Sequence, residues 1–495
     1  MTARGYRWAL IVLVLGLGLG RAGWAQTPGP EVRPFVAVDA PAFVLLHVRL
    51  IDGTGAAARE DQAVVVASGR VQAVGPASSV KVPEGAKVLD LPGRTVLPGL
   101  VGMHDHLYYS ASLFQQRRAE GGWPEPGVFL EEIAVTGPSL YLAGGVTTLR
   151  TTGSIEPAVD LKVKRRIDAG LQPGPRIHPT GPYLEGKGGF FAQMHEIGSP
   201  EEARQMVAFW ARAGMDSFKA YMHLPRAELA ASIAEAHRLK LKVTGHLCAV
   251  TWPEAIDAGI DNLEHGPVLA DSELVADKKP DVCPDWDAQL AAWMKTEIGS
   301  PKVQALIRSL VEHHVAVTST LPVFESSVRD RPPIQARVLD AMSPTARESY
   351  LTLRARVSSV GSTAGDPEAA LRKEMDFELA FVRAGGLLLA GSDPTGNGGV
   401  LPGFGNQREI ELLVEAGFSS VEAVSIATRN GARYLGEEAE IGTIAAGKRA
   451  DLVLVKGDPS KTIADIEKVE RVFKGGVGFD PKKLIESVRG RVGIH

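Results

Sequence analysis

Two histidines separated by one residue, His104-Asp105-His106, close an apolar run, VLPGLVGMHDH, that reads as a β-strand. On an extended chain residues i and i+2 face the same side, so the two imidazoles can grip one ion. Neutral imidazole nitrogens suit Zn(II) and neighbouring divalent metals. Alone, the pattern is weak. It gains weight from His246 and His265, at the ends of the strand-like runs KVTGHL and NLEHG, from Lys219 in SFKAYM, and from Asp393 at the end of LLLAGSD. Singly, Lys219 reads as a lysine snorkelling from a strand edge and Asp393 as a turn or helix cap. Jointly, five strand ends deliver HxH, Lys, His, His and Asp, a set that can surround a pair of metal ions. His47, His237, His313, His314 and His495 have bland surface or packing explanations, whereas His178, His195 and His223 fall at or just past strand ends and stay open.

The elements that must position these residues form a repeat. Apolar strand-like runs alternate with amphipathic helical segments, the pattern of a parallel sheet with helical crossovers. The runs VLPGLVGMHDH, TTLRTT, PRIHPTG, SFKAYM, KVTGHL, NLEHG, VAVTSTL and LLLAGSD give eight units, the number that closes a (β/α)8 barrel with its chemistry at the C-terminal rim. Short alternating strands flank the repeat at Phe43 to Leu97 and again at Gly442 to Asp458. The expected fold is therefore α/β, a TIM-like barrel over residues 98–439 with a small β-sandwich domain built from residues 42–97 and 440–480, and a C-terminal tail at 481–495.

Composition narrows the setting. Lys plus Arg number 54 against 58 Asp plus Glu, for a formal charge of -4, and nothing resembles a basic footprint, so no nucleic-acid partner is expected. Two cysteines in 495 residues exclude a disulfide scaffold and a cysteine-built zinc or iron–sulfur site, leaving any metal to His and carboxylate. Residues 1–25 carry Arg4 and Arg7, an apolar run from Trp8 to Gly20, and small residues at Gly23 and Ala25, the layout of a secretory signal peptide. The apolar run is short of the roughly 20 residues that span a bilayer, so cleavage and export without a stable membrane anchor are expected, in a periplasmic or extracellular setting. Residues 26–41 are Pro-rich and read as a solvated linker. In an exported protein Cys248 and Cys283 can pair, or remain two buried thiols.

From about Phe43 to Gly476 the chain resembles the amidohydrolase superfamily of metal-dependent hydrolases, in the branch of imidazolonepropionase-like proteins and exported Xaa-Pro-type dipeptidases. The resemblance rests on PGLVGMHDHL, AGGVTTLR, GPRI, SFKAYM, AHRLKLKVTGHL, AGIDNLEHG, AGSDPTG, EAVSIATRNGARYLG and GTIAAGKRADLVLV, in that order. It implies two divalent ions, Zn first with Fe, Mn or Co as alternatives. His104 and His106 would hold the more buried ion and His246 and His265 the more exposed one. Lys219, carboxylated by CO2, would bridge them, and Asp393 would ligate the buried ion and act as general base and then general acid.

The resemblance has gaps. The family usually has Arg-Asp after strand two, where this chain has Arg150-Thr151, and Gly-Gly-His after strand three, where it has Gly188-Gly189-Phe190. Deaminases of the superfamily lack the strand-four lysine and carry a glutamate soon after the strand-five histidine. Lys219 and the LCAV that follows His246 disfavour deamination. The expected reaction is hydrolysis of an amide bond in a small-molecule substrate, a dipeptide or N-acyl amino acid, with lactonase, esterase or organophosphate hydrolase activity as the alternative. A non-catalytic binding protein is disfavoured because all six expected positions are filled. Tyr221, two residues beyond Lys219 and on the same side of the strand, is placed to donate to an oxyanion, or is a core aromatic. His223, Arg150 and His195 are weaker candidates for binding a substrate carboxylate. A homo-oligomer stays open.

Overall fold

The computed structural model describes residues 28–109, 130–189, 191–360, 366–395 and 398–493. The expected signal peptide lies outside them. The first strands of the described part are β1 (Val36–Val38), β2 (Ala42–Leu50), β3 (Arg59–Ala67), β4 (Arg70–Pro76), β5 (Lys87–Asp90) and β6 (Arg94–Pro98). β7 (Leu100–Asp105) opens the parallel part of the molecule and is followed by a short antiparallel pair, β8 (Tyr108–Tyr109) and β9 (Glu131–Glu132). Then come β10 (Val146–Thr151), β11 (Arg176–His178), β12 (Ser217–Ala220), β13 (Lys242–Gly245), β14 (Asn262–Glu264), β15 (Ala316–Ser319) and β16 (Leu388–Ala390). The last strands are β17 (Leu452–Lys456), β18 (Val469–Lys474) and β19 (Val477–Phe479).

The eight strand runs of the sequence correspond to β7 and β10 to β16, and every pair among them is parallel. They form a three-stranded sheet, β11-β10-β7, and a five-stranded sheet, β12-β13-β14-β15-β16. The two sheets meet at both edges. On one side, parallel bridges link Thr180 to Ser217 and Leu184 to Ala220. On the other, the N–H groups of Ser392 and Asp393, just past β16, donate to the carbonyl of His104 in β7 at 3.1 and 2.8 Å. This second seam is tight enough that a Cβ on Gly391 would sit 2.3 Å from the Cβ of His104, so glycine is required there.

Helices cover these strands. The helix Pro200–Ala213 shows how local sequence sets their limits: Ser199 caps its first turn by accepting from the Glu202 N–H, and Gly214 ends it in the left-handed region at φ 111°. The apolar faces of the helices and strands, with Trp252 and Trp293 among the largest fully buried side chains, make the main core.

Strands from the two ends of the chain join in one nine-stranded sheet, ordered β1-β19-β18-β17-β6-β2-β3-β4, with β5 added on β2. The expected sandwich is thus a single hydrogen-bonded sheet. It curls: Phe43 of β2 and Phe473 of β18 are not on neighbouring strands, yet their rings stack at 4.9 Å. β3 is buried on both faces, with Val64 and Val66 in one apolar cluster and Ala63 and Val65 in another.

Two expected boundaries are corrected. Residues 28–41, read as a solvated linker, hold Val32 and Val38 buried and supply β1, which pairs with β19. The segment expected as a tail forms the helix Pro481–Ser487 and a following turn, with Leu484, Val488 and Val492 buried. In both cases a few apolar side chains outweigh the Pro-rich or terminal context. Cys248 and Cys283 form a disulfide, tying the segment after β13 to the one after β14.

Candidate metal centre

The strand ends bring His104, His106, Lys219, His246, His265 and Asp393 together; five of them are buried, from 0% exposed for His104 to 7% for Asp393, and His246 is partly exposed. One ligand atom from each of His104, His265 and Asp393 lies within 4.8 Å of the other two. His106 approaches the other carboxylate oxygen of Asp393, Nε2 to Oδ1, at 3.2 Å. His246 completes the ring of imidazoles, its centroid 4.4 Å from that of His265. The Lys219 ammonium nitrogen lies 3.2 Å from His104 Nε2. The close trio draws from both of the expected ligand pairs, because Asp393 sits between the rings.

Backbone geometry sets this convergence. His265 and Asp393 hold φ of 68° and 42°, left-handed values that cost energy for residues with a Cβ and that persist where surrounding structure fixes them. The turn after His265 is braced by Glu374, whose carboxylate accepts from the Val268 N–H at 3.1 Å. Asp105, between the paired histidines, turns away from the cluster and accepts from Ser392 Oγ at 2.6 Å and from Asn406 Nδ2 at 3.1 Å. The Tyr141 hydroxyl both accepts from the His106 N–H and donates to the His106 carbonyl.

The electrostatics favour ligand forms. Burial pushes the imidazoles down, His106 to about 4 and His246 to about 3, so both are neutral at neutral pH. Burial alone would raise Asp393, but His104, His106 and His265 hold its carboxyl well below the usual range. Burial brings Lys219 down to about 8, against the pull of Glu264 and Asp393. An amine so placed is far closer to its neutral, CO2-reactive form than an exposed lysine. His246 Nδ1 is buried and has no hydrogen-bond partner among the described residues. Neutral imidazoles, an ionised carboxylate and an orphaned ring nitrogen together fit a divalent metal.

A second layer, which sequence reading missed, orients these groups. Glu264 is fully buried and accepts from His104 Nδ1 at 2.8 Å, from Arg150 Nη2 at 2.7 Å and from the Thr244 hydroxyl. Burial would raise its pKa, but Arg150 and His104 bring it down to about 2. His265 Nδ1 lies 2.8 Å from Thr320 Oγ1. Glu264 was legible only as the residue before His265 in NLEHG, with nothing in the spacing to join it to a histidine in β7.

The weaker substrate candidates divide. Arg150 is corrected: its guanidinium is 1% exposed and engaged by Glu264 and the Met103 carbonyl, so it supports the centre from below and reaches no substrate. His195 is also corrected, because it points to the surface and pairs with Glu202 at 2.7 Å. His223 is half-buried and lies 3.3 Å from Glu185, whose hydrogen bond raises its pKa. Tyr221 stands beside the cluster, its ring 5.1 Å from that of His246 and 5.5 Å from Lys219 Nζ. Two further aromatics missed in the sequence complete the wall. Tyr108 stacks on His106 at 4.3 Å and shares a hydroxyl–hydroxyl hydrogen bond with Tyr183, whose ring lies 5.4 Å from Lys219 Nζ.

Parallel strands whose C-terminal ends gather imidazoles, a lysine and a carboxylate define a metal-binding α/β protein. The amidohydrolase family profile matches residues 95–478, and the chain belongs to that family. A dihydroorotase from Anaeromyxobacter dehalogenans is 33% identical over 132 residues, 26% of this chain and 26% of its own. An imidazolonepropionase from Pseudomonas entomophila is 27% identical over 228 residues, 42% of this chain and 49% of its own. The matches thus span about a quarter to a half of these relatives' length. Among solved structures, a Xaa-Pro dipeptidase with methionine bound in its active site matches at a TM-score of 0.63 and 20% identity, over 89% of this chain and 100% of that one. At that identity the likeness is one of fold.

Proposed function

We propose that the chain is an exported, metal-dependent amidohydrolase that cleaves the amide bond of a dipeptide or N-acyl amino acid. The observation that carries this reading is the meeting of neutral imidazoles from His104, His106, His246 and His265 with Lys219 and ionised Asp393 at the ends of five strands. We read the eight parallel strands as a (β/α)8 barrel and the curled sheet as the small β-sandwich of the same architecture. The reading as an exported protein is supported by the leader-like residues 1–25 and by the Cys248–Cys283 bond, which suits an oxidising compartment.

His104, His106 and Asp393 would hold one ion and His246 and His265 a second. Lys219, once its amine has added CO2 and lost a proton, would present a carbamate whose single negative charge is shared by two oxygens, a ligand suited to a pair of ions. When bound, such ions supply an activated water and polarise the scissile carbonyl. Asp393 accepts the proton of the attacking water on its carboxylate and returns it to the departing amine nitrogen. Tyr221 offers its O–H to the oxygen on which charge develops. Glu264 holds His104 in the tautomer with the proton on Nδ1, which leaves the Nε2 lone pair free to ligate an ion. The test is metal analysis of the mature protein together with a panel of dipeptides, N-acyl amino acids and matched esters. Hydrolysis of amides that stops on chelation and returns with Zn(II), Mn(II) or Co(II) is expected. Full activity in metal-free protein overturns the reading.

A further inference from the structure

A cavity of about 400 Å³ opens beside the candidate centre, between the segments after β10 and β11 and the helix Pro200–Ala213. Its apolar lining includes Ile155, Tyr183, Met194, Met206, Phe209 and Trp210. Phe209 is 57% exposed, an unusual position for a large aromatic on a helix surface. Apart from Ser154, whose buried hydroxyl can offer one hydrogen bond but no charge, the polar side chains of the lining are engaged elsewhere. Gln193 exchanges two hydrogen bonds with the backbone of Leu130, His195 pairs with Glu202, and Gln205 donates to Glu201. An occupant therefore gains chiefly from burying apolar surface, and a charged group would find no free partner among these.

The cavity shares its inner wall with the centre. Tyr183 lines it, while the same ring lies 5.4 Å from Lys219 Nζ and 4.8 Å from the ring of Tyr221. The segment Gly153–Ile155 makes a second link. Its Gly153 carbonyl lies 3.3 Å from His106 Nδ1, and Ser154 and Ile155 line the cavity. A Cβ on Gly153, which holds φ +86°, would fall 2.6 Å from the Tyr183 ring, so ring and loop are packed as one wall. The volume lies within the range of small-molecule sites, roughly 300–1,000 Å³.

We propose that this cavity is a substrate subsite that takes an uncharged apolar group of about the size of a phenyl ring or short acyl chain. The proposal rests on the hydrolase reading for the identity of the occupant, and it adds the chemical class that the site selects. Phe209 is the residue to change, because its exposure keeps the substitution out of the core.

The experiment has two arms. In the first, binding of phenylacetamide and of acetamide is measured by titration calorimetry on the wild type, Phe209→Asp and Phe209→Leu. Phenylacetamide should bind the wild type at least tenfold more tightly than acetamide, Phe209→Asp should lose most of that preference, and Phe209→Leu should retain it. In the second, N-phenylacetyl and N-acetyl forms of one amino acid are compared as substrates. Phe209→Asp should raise KM for the phenylacetyl form several-fold and by clearly more than for the acetyl form. Equal binding of the two amides by the wild type, or an unaltered preference in Phe209→Asp, overturns the subsite. So does a change in oligomeric state in Phe209→Asp with no change in amide binding, since Phe209 would then serve a contact between copies. Preferential phenylacetamide binding with no turnover of any amide would leave the subsite standing and overturn the hydrolase reading instead.

Discussion

Glu264 joins Arg150 and His104 across three strands: its two oxygens lie 2.7 Å from Arg150 Nη2 and 2.8 Å from His104 Nδ1. One carboxylate therefore neutralises a buried guanidinium and sets the tautomer of His104. Glu264→Ala should do two kinds of damage. Metal affinity should fall roughly 10- to 100-fold, as for other groups that orient a ligand histidine. Leaving Arg150 buried and unpaired should also cost about 3–5 kcal/mol of stability. Metal titration followed by mass spectrometry and thermal melting check the two effects separately. Unchanged metal affinity would remove Glu264 from the support of His104.

Lys219→Ala should lose most bound metal, because neither a bridging carbamate nor the amine remains. Short carboxylic acids added in excess should restore part of the metal content by occupying the vacated space. A Lys219→Ala protein that holds two ions and turns over normally would overturn the carbamate assignment.

Asp393→Asn should separate assembly from proton transfer. The amide is nearly isosteric and its oxygen can still approach a metal, but it does not take up a proton at neutral pH. A loss of roughly 10²- to 10⁴-fold in kcat on an amide is expected, with at least one ion still bound. An ester with a good leaving group should suffer less, since an alkoxide needs little protonation. Equal activity of variant and wild type on the amide would exclude Asp393 from the proton transfers.

Asp271 gives a pH prediction away from the chemistry. It is fully buried, accepts from the N–H groups of Trp252 and Glu273, and burial raises its carboxyl to about 7. Because the folded form holds its proton more tightly than the unfolded chain, its contribution is fully present below about pH 4 and is lost as pH rises through 7. Asp271→Asn keeps the accepting oxygen and carries no charge. The variant should therefore gain on the order of 4 kcal/mol over wild type at pH 8 relative to pH 4, read from melting curves across that range. Parallel pH profiles for the two proteins would refute the assignment.

The strand ends were legible because periodicity and apolar runs are local. All eight parallel strands fall where the alternation of strand and helix patterns put them, and HxH spacing alone placed His104 and His106 on one side. What was not legible depends on partners far apart in the chain. Arg150 sits at the end of a strand, as a substrate-binding residue would, and only the fold shows that Glu264 lies beneath it. Tyr108 and Tyr183 carry no motif, and their hydroxyls meet because β8 and the segment after β11 cross above Lys219. Residues 28–41 misled for the opposite reason: Pro-rich composition masked Val32 and Val38, which find apolar partners only once β19 is in place.

The nine-stranded sheet also sets a timetable for assembly. Thr95 of β6 bonds to the carbonyl of Gly457, 362 positions downstream, so although β2 covers one side of β6, its other edge cannot find β17 until nearly the whole chain has been synthesised. Until then its edge offers unpaired N–H and C=O groups to any other strand, a standing invitation to aggregation. The eight parallel strands between them must draw the ends together first, which makes the sheet the last part to close. A chain truncated between Asp393 and β17 would keep every residue of the candidate centre yet leave that edge open permanently, and its failure would show as insolubility.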